Sequence, residues 1–228
     1  SFGRSVKSCG GHVIQIAPSV RHSPCSDGQG FVGTEWRMEM NELTSIDAPV
    51  INGIDLGIVG AIAEAVTADP AAAQARFAIT TEWQGQCRSL SRTRSMSIGG
   101  QEIDRPHMIA ADEPHEMLGK NEAPNPQELL IAALNACILV GFVTASAAEG
   151  ITLSRLEVDT EGALDLRGFL DPESGIAPGV DKLVTRVVID GDGSDEQFAA
   201  ILEHVRQVSP NHFHLTRPIP VEASVVRG

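Results

Sequence analysis

Twenty consecutive residues, Leu129 to Ala148, carry no charge. They lie within APNPQELLIAALNACILVGFVTASAAEG, residues 123 to 150. As a helix the run reaches ~30 Å, enough to cross the hydrocarbon core of a bilayer. Such a segment is either a membrane span or a helix packed inside protein, and the flanks favour the second. Glu128 precedes the run, Glu149 follows it, and the nearest cations are Lys120 and Arg155, so no basic cluster orients a span. Neither end has a Trp or Tyr, and alanine is the commonest residue in the run. Small residues on every face suit close approach by other elements. A long buried helix in a soluble domain is expected, with no membrane partner.

The helix has legible ends. Asn125 is a good N-cap, Pro126 falls where its missing N–H costs nothing, and Gly150 is a terminating glycine. Around it, hydrophobic periodicity divides the chain. Residues 1–48, rich in Ser, Gly and Pro, read as an N-terminal arm outside the main fold, and residues 49–228 as one domain. INGIDLGIVGAIAEAVTADP reads as a helix capped by Asp55 and ended by Asp69-Pro70, with Ile58, Ile62 and Val66 on one face. ARFAITTEWQG, RSLSRTRSMSIGG and EIDRPHMIAADEP read as three strands, the last two joined at Gly99-Gly100.

After the long helix, ITLSRLEVDTEGALDLRGFL and DKLVTRVVIDGDG alternate as strands. SDEQFAAILEHVRQVS is an amphipathic helix capped by Ser194, and IPVEASVV reads as a last strand. The predicted class is α+β, with antiparallel sheets packed around the long helix.

Charge and composition remove some functions. A formal net charge of −13 repels phosphate backbones and anionic lipid alike, and no tyrosine is present for stacking, so nucleic acid is not an expected partner. The four cysteines, Cys9, Cys25, Cys87 and Cys137, form no C-x-x-C pair, which suits free thiols in a reducing compartment. The first residues do not resemble a secretory signal, and a cytoplasmic location is expected.

Cys137, in the middle of the apolar run, has two readings. It is a small buried hydrophobe, or it is a reactive thiolate. It stands 12 residues beyond Asn125, too far for the helix dipole to activate it. A reactive thiolate there needs a cation from elsewhere, and an arginine is the natural choice. Arg88, Arg92 and Arg94 occupy alternate positions of one expected strand and would share a face. His212 and His214, also on one face if extended, could ligate a metal with His204 or an acid. No fixed spacing to further ligands supports this, and neither a metal nor a cofactor is expected.

NPQELLIAALNAC resembles the signature helix of the OsmC/Ohr family, the osmotically inducible protein C and organic hydroperoxide resistance proteins. The likeness extends from about residue 76 to 226, through SDEQFAAILEHV and VSPNHFHLTRPIPVE. The resemblance implies an OsmC-like fold, an intertwined homodimer, and a thiol-dependent peroxidase that reduces small organic hydroperoxides at the expense of a thiol reductant. It places the peroxidatic cysteine at Cys137 and the activating arginine at Arg88, with Arg92, Arg94 and Arg105 as substitutes.

Two positions depart from the family pattern. The glutamate expected directly after the proline is Gln127, with Glu128 one position later, so either of these would hold the arginine. The resolving cysteine is replaced by Ser209, leaving Cys87 to resolve Cys137 or a one-cysteine cycle to operate. The other expectation is a non-catalytic protein of the same fold that binds a small apolar ligand.

Overall fold

The computed structural model describes residues 48–227. The expected arm, with Cys9 and Cys25, lies outside the described residues apart from residue 48. A small hairpin opens the fold, β1 (Val50–Ile51) and β2 (Ile54–Asp55). Asn52 (φ 54°) and Gly53 (φ 77°) are both left-handed, as a tight two-residue hairpin turn requires. The Asn52 side chain donates to the Ile151 carbonyl (2.9 Å) and accepts from the Leu153 N–H (2.9 Å), pinning the hairpin far along the chain. Helix α1 (Leu56–Ala68) follows, capped by Asp55, whose carboxylate accepts from the N–H groups of Gly57 and Ile58, and closed at Asp69.

Each of the next three expected strands is split in two. The first becomes β3 (Ala75–Arg76) and β4 (Ile79–Trp83), the second β5 (Ser89–Thr93) and β6 (Met96–Ile98), the third β7 (Gln101–Ile103) and β8 (Met108–Ala111). The halves sort into two antiparallel sheets, β3-β6-β7 and β4-β5-β8. The chain bends at Phe77-Ala78, at Arg94-Ser95 and across residues 104–107. The Arg94 N–H to Ala78 carbonyl bond (3.0 Å) holds the corner, and Pro106 has no N–H to continue a ladder. Alternation along the sequence is insensitive to a corner, which is why it ran the halves together. Gly99 and Gly100 (φ 56° and 80°) make the expected turn.

Helix α2 (Pro126–Ala148) has the ends its sequence promised. Asn125 accepts from the Glu128 N–H (2.8 Å), and the Glu128 carboxylate accepts from the Asn125 N–H (2.7 Å). The long hairpin β9 (Leu153–Leu164) and β10 (Val180–Gly191) follows, with the short helix α3 (Arg167–Leu170) in its connection. Helix α4 (Asp195–Val208) lies across α2, its Ser194 cap reciprocated by Gln197. Leu134, Ile138 and Phe142 of α2, Ile151, and Ile201 and Val205 of α4 form the core, against Leu156, Val158, Val187 and Ile189 of the hairpin. The helices meet so closely at Gly141 that a Cβ there would stand 3.0 Å from a Val205 methyl.

Within one chain α2 is buried along a single stripe, at spacings of four. Leu130 (42% exposed) and Val140 (68% exposed) face outward. The helix is long and apolar enough to cross a membrane by length and composition, yet its stripe is committed to α4 and the hairpin.

Two further expectations fail at the C-terminal end. His212 and His214 lie on a helix, α5 (Pro210–Thr216), rather than in an extended segment. Two residues on a helix differ by ~200°, so they do not share a face. Pro210 opens this helix, because its missing N–H is harmless in the first turn. Residues 218–227 form no strand, and Val221, Val225 and Val226 are exposed.

Candidate functional site

Asn135, half-buried on α2, accepts from the Thr160 hydroxyl (2.6 Å) and donates to the Val158 carbonyl (3.2 Å). Thr160 also bonds Thr185 across the hairpin (2.9 Å). This chain fixes the rotation of α2 about its axis, and hence where Cys137, two residues on, presents its sulfur. Cys137 falls ~60° round the helix from Leu134 and ~100° from Ile138, at the edge of the buried stripe. It is half-buried there, in an outward strip with Leu130, Ala133 and Val140.

The junction of α4 and α5 covers that edge. Ser209, 4% exposed, ends α4 and caps α5, its hydroxyl oxygen accepting from the His212 N–H (3.3 Å). With one lone pair so occupied, the hydroxyl proton is directed at Cys137, and Oγ lies 3.1 Å from Sγ. One turn back, Asn211 donates to the Ala133 carbonyl (2.8 Å). Two contacts on α2, four residues apart, therefore clamp the junction over the thiol. The hydroxyl is thus placed to donate to sulfur, and a hydrogen bond to a charged acceptor is stronger than one to a neutral acceptor. Sequence reasoning placed Ser209 at the position of a lost cysteine, and the structure adds that it touches Cys137. No signal in the sequence shows that contact.

The other expected site residues are placed differently. Arg88, just before β5, pairs with Glu122 at 3.3 Å and makes no hydrogen bond to Cys137. Neither Gln127 nor Glu128 holds it, since Gln127 is exposed and the Glu128 carboxylate is spent on its own helix cap. The carboxylate at the arginine is Glu122, which the sequence reading missed. Its position depends on Asp112, 1% exposed, whose carboxylate accepts from the N–H groups of Glu113 (2.9 Å), Lys120 (3.0 Å) and Glu122 (3.1 Å).

Burial by itself raises the Asp112 carboxyl. The three N–H groups, with the Arg88 charge, outweigh that and hold it below its ordinary 3.8. The same loop returns so tightly that a Cβ on Gly119 would lie 1.7 Å from the Glu113 carbonyl oxygen, so only glycine fits. A detectable trace was the Pro, Gly and Asn of ADEPHEMLGKNEAPNP following Asp112 at the end of an apolar strand.

Arg92 pairs with Glu82 (3.0 Å) on the sheet, and Arg94 stands at the corner beyond it, so the three arginines serve separate places instead of one shared face. Cys87 and Cys137 are both free. The exposed Cys87 thiol donates to the Met117 carbonyl (3.6 Å) and makes no contact with Cys137. Among the described residues no group of three or more His, Cys, Asp or Glu is placed to hold a metal.

These features define an α+β protein whose central helix presents one half-buried thiol beneath a serine hydroxyl. Residues 119–224 match the family model described as OsmC-like protein. That span contains Gln127, Glu128, Cys137 and Ser209, while Arg88 lies before it. Among solved structures, the chain is similar to an OsmC-like protein from Mycoplasma pneumoniae, at 18% identity over 62% of this chain and 87% of that one, with a TM-score of 0.49. It is similar to an organic hydroperoxide resistance protein from Elizabethkingia anophelis, at 16% identity over 62% and 88%, with a TM-score of 0.43. For an organic hydroperoxide resistance protein OsmC from Legionella pneumophila the values are 18%, 61%, 88% and 0.39. No curated protein matches the chain.

Proposed function

We propose that the protein is a cytoplasmic thiol-dependent peroxidase that reduces organic hydroperoxides at Cys137 by a one-cysteine cycle. The observation that carries this reading is the 3.1 Å contact between the Ser209 hydroxyl and the Cys137 sulfur, which sets a hydrogen-bond donor on the sulfur at a half-buried, apolar place. In the first step the thiolate attacks the peroxide, an S–O bond forms as the O–O bond breaks, and the alkoxide takes a proton to leave as alcohol. Sulfur is oxidised by two electrons and becomes a sulfenic acid. Ser209 has no thiol to resolve it, so a small thiol attacks the sulfenic sulfur, water leaves, and a mixed disulfide forms. A second thiol molecule restores Cys137 and carries away the oxidised donor.

A second copy completes the site in this proposal. The strip of Leu130, Ala133 and Val140 beside Cys137 is apolar and uncovered in the single chain, as is Trp83 (76% exposed). Homodimerisation covers such surface, and it is the arrangement in which an arginine, Arg88 in the first instance, reaches the thiolate. The apolar surroundings favour alkyl hydroperoxides over hydrogen peroxide, which gains nothing from apolar burial.

A second reading, an apolar-ligand binder with Cys137 as packing, is favoured by the absence, among the described residues, of a second thiol at Cys137. Consumption of cumene hydroperoxide and hydrogen peroxide with a dithiol donor separates the two. The peroxidase turns over the organic peroxide preferentially, and Cys137→Ser abolishes turnover. No turnover by a folded native dimer sinks the enzyme and leaves the binder.

A further inference from the structure

The corner between the two small sheets gathers cations that no carboxylate among the described residues pairs with. Arg92 finds Glu82, and Arg88 finds Glu122. Arg76, Arg94 and Arg105 have no carboxylate within 4.0 Å among the described residues. In a chain of net charge −13 such a local excess of guanidinium is unusual.

The three surround two adjoining cavities that share Ala78 and Arg94. The first, about 180 Å³, is polar, walled by Arg76, Arg94, Ser95, Ser97 and Glu102. Arg76 sits directly opposite Ser97, and Ser97 opposite Glu102, so this row follows from strand register. Its two guanidinium groups outnumber its single carboxylate. The second cavity, about 310 Å³, is lined by Phe77, Ile79 and Met96, with Arg94 and Arg105 at hand. No residue of α2 lines either one.

We propose that this corner binds a free fatty carboxylate of medium chain length. The carboxylate lies on Arg76 and Arg94, with the Ser95 and Ser97 hydroxyls as further donors, and the tail covers Phe77, Ile79 and Met96. A guanidinium matches a carboxylate with two parallel N–H bonds, and the apolar floor next to it requires a ligand with a tail. Arg105 adds positive potential along the tail cavity, and Glu102 opposes the head group.

Calorimetric titration of the full chain with decanoate, below its micelle concentration, tests this. Each two carbons removed from the ligand weakens binding about fourfold, roughly half the effect of complete burial because the tail cavity is open. Decanol, which lacks the charge, and acetate, which lacks the tail, each bind at least about tenfold more weakly. Arg94→Gln and Arg76→Gln weaken decanoate at least about tenfold, Glu102→Gln tightens it, and Arg92→Gln leaves it unchanged. Arg94 is exposed and its corner bond is through backbone, so the variant keeps the fold, which a thermal melt checks.

Decanol binding as well as decanoate, Arg92→Gln weakening it as much as Arg94→Gln, or no binding at all overturns the site. Cys137→Ser binds decanoate unchanged. A loss there moves the ligand to the thiol and refutes the corner, whatever the outcome of the peroxidase assay.

Discussion

Replacing Ser209 by alanine removes one oxygen with two tasks, and the structure allows them to be separated. As the N-cap of α5, the oxygen accepts the His212 N–H at 3.3 Å, and loss of a serine cap costs about 1 kcal/mol of stability. As a donor at 3.1 Å it is placed to hydrogen-bond the Cys137 sulfur while that sulfur reacts. A hydrogen bond to a charged group is worth about 1.5–3 kcal/mol, so losing the one made to sulfur as it attacks slows its reaction roughly tenfold or more. Ser209→Ala should therefore alkylate at Cys137 about tenfold more slowly at pH 6. Mass spectrometry of the Cys137 peptide distinguishes this thiol from the exposed Cys87.

Ser194→Ala is the matched control. It removes an N-cap of the same kind from α4 without touching the sulfur, so it should lose similar stability and keep the native alkylation rate. If Ser209→Ala alkylates as fast as the native protein, or both variants slow equally, the hydroxyl does not assist the sulfur.

The remaining predictions concern the scaffold. The folded Asp112 carboxyl lies below its ordinary value of 3.8, so its stabilising effect is complete above that value and is lost as pH falls through the lower folded one. Native protein should be more stable than Asp112→Asn at neutral pH, with the gap closing below about pH 3.8 in urea titrations; a gap independent of pH would remove the charge argument. Gly141→Ala gains about 0.5–1 kcal/mol of helix propensity but forces a methyl to 3.0 Å from the fully buried Val205, an overpacking cost of about 1–3 kcal/mol. Gly60→Ala, on α1 with open space around it, should be stabilising where Gly141→Ala is destabilising; equal effects in urea melts would show that α2 and α4 are not in close contact.

Local chemistry determined the three long helices, α1, α2 and α4, and their ends. Asn125, Pro126 and Glu128 form a capping box from four adjacent residues, Asp55 and Ser194 do the same work elsewhere, and the alternation of ITLSRLEVDTEGAL specifies a strand without reference to any partner. The cysteine-bearing helix was legible for the same reason, since its pattern is contiguous.

What the tertiary structure alone decided depends on residues distant in sequence or on competition for one group. Ser209 meets Cys137 across 72 positions because Asn211 and the α4 packing fold that junction onto α2. Glu128 was a reasonable partner for Arg88 until its own cap claimed it, and Glu122 took the arginine because Asp112 folds the intervening loop. The sheet corner escaped notice because a strand's two-residue period continues through a bend, while hydrogen-bond partners change there. Periodicity records which face each residue prefers; which distant group meets it there is set by the packing of whole elements.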